Sequence, residues 1–81
     1  MELIKKLNFY KMISEIRRAE GISVWAHPLF HISRSEFESI LPKAWNRGLD
    51  AVETYYSTYS QEDTAFLQSV CQRYSLLESG G

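Results

Sequence analysis

Apolar residues in the first third of the chain follow two different periodicities. Four of them recur at i, i+3, i+4 and i+7, which predicts an amphipathic helix over residues 9–20: Phe9, Met12, Ile13 and Ile16. Asn8 is a candidate cap for the start of this helix, and Gly21 follows its end. A short continuous run rich in β-branched and aromatic residues then predicts a buried strand over residues 22–27.

Two serine caps and two further apolar stripes predict the remaining helices. Ser33, followed three residues later by Glu36, has the capping-box pattern and predicts a helix over residues 34–47 with an apolar stripe at Phe37, Ile40, Leu41 and Ala44. Ser60 begins a similar helix over residues 61–74, whose stripe is Phe66, Leu67, Val70, Cys71 and Tyr74. Pro42 interrupts the earlier helix, so we expect a kink or two short pieces there. Strands are predicted over residues 49–56 and 76–79.

Helices and strands that alternate in this way predict an α/β fold with parallel strands joined by helical crossovers. The 81 residues form at most one small domain. All strand carboxyl ends then lie at one edge of the sheet, which brings together residues from three strands: His27, Glu53 with Tyr55 and Tyr56, and the segment 79–81. Clustered tyrosines at such an edge either stack a nucleobase or pack half-buried with solvated hydroxyl groups.

His27 is the candidate metal ligand because it ends a predicted strand at the edge where α/β proteins bind ligands. Pro28 cannot extend the strand ladder, and it favours an extended backbone at His27. A neutral imidazole in this place is a suitable ligand for zinc, manganese or iron. The alternative is a polar residue in an ordinary His-Pro turn. His31 falls in a predicted loop and is treated as a polar loop residue.

Composition narrows the function classes. Nine basic and ten acidic residues are interspersed and give a net charge of −1, so overall charge does not point to nucleic acid or an anionic membrane as partner. Cys71 is the single cysteine, which excludes an internal disulfide, and its apolar helical face predicts a buried, unreactive thiol. The single cysteine predicts a reducing compartment and hence a cytoplasmic location. The sequence also shows neither a membrane-spanning run nor a signal peptide.

Three motifs in order resemble the carboxyl-terminal part of the PHP family, the polymerase and histidinol phosphatase domain. They are Gly-Ile-Ser-Val-Trp-Ala-His-Pro at residues 21–28, Gly-Leu-Asp-Ala-Val-Glu-Thr-Tyr-Tyr at 48–56, and Ser-Gly-Gly at 79–81. Within that family the sequence is most similar to predicted metal-dependent phosphoesterases, which include nucleoside bisphosphate phosphatases and small RNA exonucleases. The resemblance extends from about Ile13 to the end of the sequence.

This resemblance implies a segment of a seven-stranded β/α barrel that binds divalent manganese, zinc or iron and hydrolyses phosphoesters. The substrates implied are phosphomonoesters or nucleotide and oligonucleotide phosphoesters. His27 matches the metal-binding histidine of the family's Ala-His-Pro, and Glu53 matches a carboxylate near the site, which makes it the candidate catalytic residue. Tyr55 and Tyr56 are the candidate substrate-binding residues.

Other metal ligands of the family have no counterpart in these 81 residues. The amino-terminal His-x-His pair is missing, as are the aspartate and histidine that follow Ser-Gly-Gly in the family. Three or four protein ligands are normal for a tight metal site, so we expect the chain alone to be inactive. The alternative function is a noncatalytic α/β module that associates with itself, and in either case exposed sheet edges predict a dimer or larger assembly.

Overall fold

The computed structural model describes residues 3–80, which form one parallel sheet with helices packed against it. In chain order its elements are α1 (Leu3–Arg18), β1 (Val24–Trp25), α2 (Pro28–His31), α3 (Arg34–Asn46), β2 (Ala51–Tyr55), α4 (Gln61–Tyr74) and β3 (Leu77–Gly80). The sheet order is β1-β2-β3, and both strand pairs are parallel. The predicted α/β class with parallel strands is confirmed.

The two serine caps position the helices that follow them. The Ser33 hydroxyl accepts the Glu36 N–H at 3.1 Å, and the Ser60 hydroxyl accepts the Asp63 N–H at 3.1 Å. α4 therefore begins and ends at the predicted residues, whereas α3 ends one residue earlier than predicted. The buried residues of the two predicted stripes are Phe37, Ile40, Leu41, Ala44, Leu67, Val70 and Cys71.

The first helix differs from its prediction at both ends. α1 begins at Leu3 rather than residue 9, because the leucine and lysine residues before Asn8 are good helix formers. Asn8 consequently lies inside the helix and is not its cap. The helix ends at Arg18, and Glu20 takes a left-handed conformation with φ 62°, which terminates the helical turn.

The buried face of α1 is also rotated relative to the prediction. Tyr10 and Ile13 are buried, whereas Met12 is 51% exposed. The expected stripe did not include Tyr10, but its ring packs against the Phe9 ring at a centroid distance of 6.0 Å and joins the core. A tyrosine supplies a large apolar surface while its hydroxyl remains at the rim, which explains why it replaces Met12 in the core.

Pro42 does not divide α3, so the expectation of two short helical pieces is wrong. The helix is continuous from Arg34 to Asn46. Leu41 and Ala44, on either side of Pro42, are both fully buried against the sheet and the neighbouring helices. Burial of a leucine contributes about 1.5–3 kcal/mol. Packing on both sides of the proline thus offsets a cost of about 3 kcal/mol for its missing hydrogen bond.

β1 and β2 are shorter than predicted, whereas β3 has its predicted four residues one position later, and the sheet is covered on one face. β1 has two residues instead of residues 22–27, and His27 has left the extended conformation. β2 starts at Ala51 rather than residue 49, and the preceding Asp50 carboxylate accepts the Ser23 N–H at the start of β1. Trp25 and Val52 face the helices and belong to the core. The residues just before these, Val24 and Ala51, point to the opposite face of the sheet, because side chains alternate along a strand. Val24 pairs with Ala51, and Leu77 also pairs with Ala51.

Val24 is 47% exposed and Leu77 is 63% exposed, so the described helices leave this second sheet face uncovered. Parallel sheets are ordinarily covered on both faces. Val24 and Leu77, on either side of the buried Ala51, therefore leave apolar surface available to a further layer. β3 ends at Gly80, one residue beyond its prediction, and Gly81 lies outside the described residues.

Candidate functional site

The backbone of His27 is the most unusual feature of the sheet's carboxyl edge. Its φ of 29° and ψ of 61° lie in the left-handed region, so the expectation of an extended conformation before Pro28 is wrong. The chain turns sharply here and enters α2, whose first residue is Pro28. For a residue with a side chain, left-handed backbone costs about 1–2 kcal/mol, and neighbouring contacts must hold it there.

Two side chains from the β2 region supply those contacts. The Glu53 carboxylate Oε1 accepts the His27 N–H at 3.0 Å, and the Tyr59 hydroxyl accepts the Leu29 N–H at 3.0 Å. The turn is closed internally by the Phe30 N–H, which donates to the His27 carbonyl at 3.1 Å. Backbone on both sides of His27 is therefore tied to β2 or to the loop that follows it.

The His27 imidazole lies half-buried among aromatic rings. Its centroid is 4.8 Å from that of Tyr56, 5.1 Å from that of His31 and 5.7 Å from that of Phe30. Tyr56 in turn packs against Tyr59 at 5.5 Å. We call these five residues the aromatic cluster. Within it, the His27 Nδ1 atom is buried and has no hydrogen-bond partner among residues 3–80.

An unpartnered buried ring nitrogen is unusual, because most buried polar atoms make at least one hydrogen bond. In the tautomer that carries its proton on Nε2, Nδ1 has a lone pair that the described side chains do not use. A metal ion, a water molecule or a donor on a bound molecule can satisfy it. The atom is thus the clearest sign of chemistry at this edge.

Two carboxylates from the β2 region act in parallel on the segment that contains β1. Asp50 Oδ2 accepts the Ser23 N–H at 3.0 Å before the strand, and Glu53 Oε1 accepts the His27 N–H after it. β1 is thereby attached to β2 at both ends despite its short ladder. Glu53 shares the sheet face of Ala51, two residues earlier, and that is the uncovered face.

The structure brings together three of the four candidate site residues, namely His27, Glu53 and Tyr56. Tyr55 is directed to α4 instead, where its hydroxyl accepts from Gln68 Nε2 at 2.6 Å. Tyr55 and Tyr56 line a cleft of about 530 Å³ together with Tyr59 and the first turns of α4. Ser79 lies beside Glu53 in the strand register, and Gly81 is outside the described residues.

Burial changes the acidity of two groups. It raises the pKa of the Tyr59 phenol above its ordinary value, so the hydroxyl that accepts from Leu29 stays protonated at neutral pH. Burial also raises the pKa of the Cys71 thiol to about 11, with Glu78 as a further cause. Cys71 is packed in the core on α4, and the predicted buried thiol is confirmed.

The donor set fits part of a divalent metal site. An imidazole nitrogen and a carboxylate oxygen are each a ligand that zinc, manganese and iron bind. No cluster of three or more potential histidine, cysteine, aspartate or glutamate ligands occurs within residues 3–80. Of the two candidate residues, His27 has the unpartnered Nδ1 atom, whereas Glu53 Oε1 already accepts the His27 N–H, so the imidazole nitrogen is the donor that fits a metal ion.

Comparisons with family models, with curated proteins and with solved structures returned no match for this chain. The resemblance to the PHP family thus depends on the motifs at residues 21–28, 48–56 and 79–81. Among residues 3–80, no helix is long and apolar enough to cross a bilayer.

Two features of this edge were not expected from the sequence. α2 was treated as loop, although Pro28 at its first position is a recognised signal for a helix start. Within α2, His31 is exposed and stands beside His27. The contact between Tyr59 and Leu29 joins residues far apart in sequence, and no local pattern predicts it.

Proposed function

We propose that the chain is a segment of a metal-dependent phosphoesterase similar to the PHP family, in which His27 is a metal ligand. The observation that carries the proposal is the unpartnered, buried Nδ1 of His27 on strained backbone at the carboxyl end of β1. Strained backbone and unsatisfied polar atoms are concentrated at functional sites, because selection for stability alone removes them. The substrate class is a phosphomonoester or a nucleotide or oligonucleotide phosphoester.

The uncovered sheet face supports the barrel part of this proposal. In β/α barrels, helices cover the outer face of parallel strands, while the other face points into the barrel. α1, α3 and α4 contribute to the core on one side of the sheet, and Val24, Ala51 and Leu77 lie on the other. Glu53, on that second face near the carboxyl ends, occupies the position where barrel enzymes carry their sites.

Each residue at the edge has a role in the proposed reaction. A divalent ion bound here supplies hydroxide at neutral pH and withdraws charge from the phosphoryl oxygens. His27 provides a neutral nitrogen ligand, and Tyr56 fixes the plane of its ring by packing at 4.8 Å. Tyr55 and Tyr56 border the cleft and contact the part of the substrate beyond the phosphate.

Metal binding by the purified chain tests this proposal. We expect weak binding of Mn²⁺ or Zn²⁺ in a calorimetric titration, since the His27 imidazole alone supplies fewer ligands than the usual three or four. His27→Ala should abolish that binding, while His31→Ala, a change to an exposed histidine beside it, should retain it. No hydrolysis of a generic phosphomonoester is expected from the chain alone. Equal metal affinity in the wild-type chain and in His27→Ala would refute the ligand role.

A second function, self-association without catalysis, is favoured by the exposed apolar side chains. Leu3 and Ile4 on α1 are 71% and 70% exposed, and Leu77 on β3 is 63% exposed. A second copy that covers the open sheet face buries some of this surface. Light scattering and unfolding at several protein concentrations distinguish the cases: a monomeric mass with a concentration-independent midpoint rules out self-association.

A further inference from the structure

We infer that Glu53 and Tyr59 are positioning residues that hold His27 in its left-handed conformation, and that Glu53 is therefore not the catalytic carboxylate expected from the sequence. The inference assigns a role to two side chains of the proposed site, and it rests on the proposed function only where metal affinity is measured. Its structural part concerns the backbone of His27 and holds for the chain without metal.

The Glu53 carboxylate makes its hydrogen bond to the backbone of His27. Its Oε1 accepts the His27 N–H at 3.0 Å, and a carboxylate acceptor gives a stronger bond than a neutral one. The His27 N–H belongs to the peptide plane that precedes the φ and ψ rotations of His27, so this bond fixes the chain on the β1 side of the turn. The left-handed conformation is then held by a second contact on the other side, where the Leu29 N–H donates to Tyr59.

Tyr59 acts one residue further along the same turn. α2 has only four residues, and a helix start leaves several N–H groups without partners. Pro28 has no N–H, and the Tyr59 hydroxyl accepts that of Leu29. The Tyr59 ring also supports Tyr56, which packs on the His27 imidazole. Tyr59 consequently fixes both the turn after His27 and the ring beside it.

Together the two contacts direct the imidazole. With φ and ψ of His27 held, the ring stays against Tyr56, and Nδ1 remains buried without a partner. Releasing either contact allows the chain before Pro28 to relax to extended backbone and carries the ring away. Residues that orient a metal ligand in this way typically alter metal affinity by roughly 10- to 100-fold when they are changed.

Glutamine separates a positioning role from a catalytic one, because the amide oxygen of Glu53→Gln still accepts an N–H but is a poor metal ligand and proton acceptor. We expect Glu53→Gln to keep the wild-type backbone ¹³C shifts of His27 and the slow exchange of its amide. Glu53→Ala should lose both. Asp50→Ala is the matched control, because Asp50 holds Ser23 at the other end of β1; it should leave the His27 shifts unchanged.

Tyr59→Phe removes only a hydroxyl and is the second, milder variant. It should speed exchange of the Leu29 amide and shift the His27 resonances, whereas Tyr55→Phe, whose hydroxyl bonds Gln68, should do neither. If Glu53→Ala fails to fold, the Tyr59→Phe and Glu53→Gln spectra decide the question. Left-handed His27 shifts retained in Tyr59→Phe, or in a folded Glu53→Ala, overturn the inference.

Metal affinity gives an independent measurement on the same proteins. For Mn²⁺ or Zn²⁺ alone, Glu53→Gln should stay close to the wild-type affinity, and Glu53→Ala should lose roughly 10- to 100-fold. Equal loss in both variants with unchanged His27 shifts shows that Glu53 is itself a ligand and refutes the positioning role. If the wild-type chain binds no metal, the proposed function fails, while the backbone shifts still test the inference.

Discussion

Replacing His27 with glycine and with alanine tests whether its backbone is strained. Both variants lose the imidazole and its aromatic contacts, so their difference isolates the Cβ atom. At a φ of 29° a Cβ costs about 1–2 kcal/mol. Glycine loses about 0.5–1 kcal/mol more chain entropy than alanine on folding. His27→Gly should therefore be more stable than His27→Ala by about 0.5–1 kcal/mol.

Urea unfolding at 25 °C measures this difference. With a slope of about 1 kcal/mol per M for a chain of this size, the midpoint of His27→Gly should lie about 0.5–1 M higher than that of His27→Ala. Ser75, the left-handed C-cap of α4 with φ 56°, provides a positive control: its glycine variant should likewise exceed its alanine variant. Ala65→Gly, within α4, should instead lose about 1 kcal/mol.

The absence of this stability difference would contradict a left-handed backbone at His27. If His27→Gly is no more stable than His27→Ala while the Ser75 pair behaves as expected, His27 does not occupy left-handed backbone in solution. Backbone strain then no longer marks this edge as functional. Agreement in the Ser75 pair is required first, because it shows that the assay resolves a Cβ at positive φ.

Three further predictions concern stability and reactivity. Arg34 donates to Asp63 at 2.7 Å and lowers the pKa of that carboxyl, so Arg34→Ala should cost about 0.2–1 kcal/mol at neutral pH and low salt. That difference should shrink as pH falls through the lowered pKa, because the folded state then loses its ionised partner; urea unfolding at several pH values checks it. The pKa of Cys71 is raised to about 11 from the ordinary 9.0, so at pH 8 the folded protein should hold an about 100-fold smaller thiolate fraction than the unfolded chain. A thiol reagent at pH 8 should therefore react much faster after unfolding. Pro42→Ala should increase the free energy of unfolding by up to about 3 kcal/mol, because α3 is already continuous and the alanine N–H restores a helical hydrogen bond. A higher midpoint in urea unfolding checks this.

The sequence predicted the elements whose information is local. α4 and the start of α3 follow from a serine cap and an apolar stripe within a few residues, and both were placed correctly. α1 was placed less well. Its first turns carry exposed leucine and isoleucine residues, and burial does not select them, so an amphipathic pattern cannot mark the start of the helix.

The site was predicted in part for a similar reason. Parallel topology brings strand ends together, which placed His27, Glu53 and Tyr56 at one edge. In a regular strand Tyr55 would share the face of Glu53, two residues earlier. The register irregularity between these two residues breaks that alternation, and the Tyr55 hydroxyl bonds Gln68 on α4 instead. The left-handed turn at His27 depends on the Glu53 carboxylate, 26 residues away, and a local rule for residues before proline predicted the opposite.

His27 combines several features that reduce stability, and this combination favours a functional role over a structural one. Its backbone is left-handed, and its Nδ1 is buried without a partner. Such an orphaned polar atom costs about 1–3 kcal/mol, in addition to the backbone strain. Packing of the imidazole against Tyr56 stabilises the folded state by only about 0.5–1.5 kcal/mol. A smaller residue in an ordinary turn would fold with less strain. The net cost in stability at this position is explained if the imidazole binds a ligand at the carboxyl edge of the sheet.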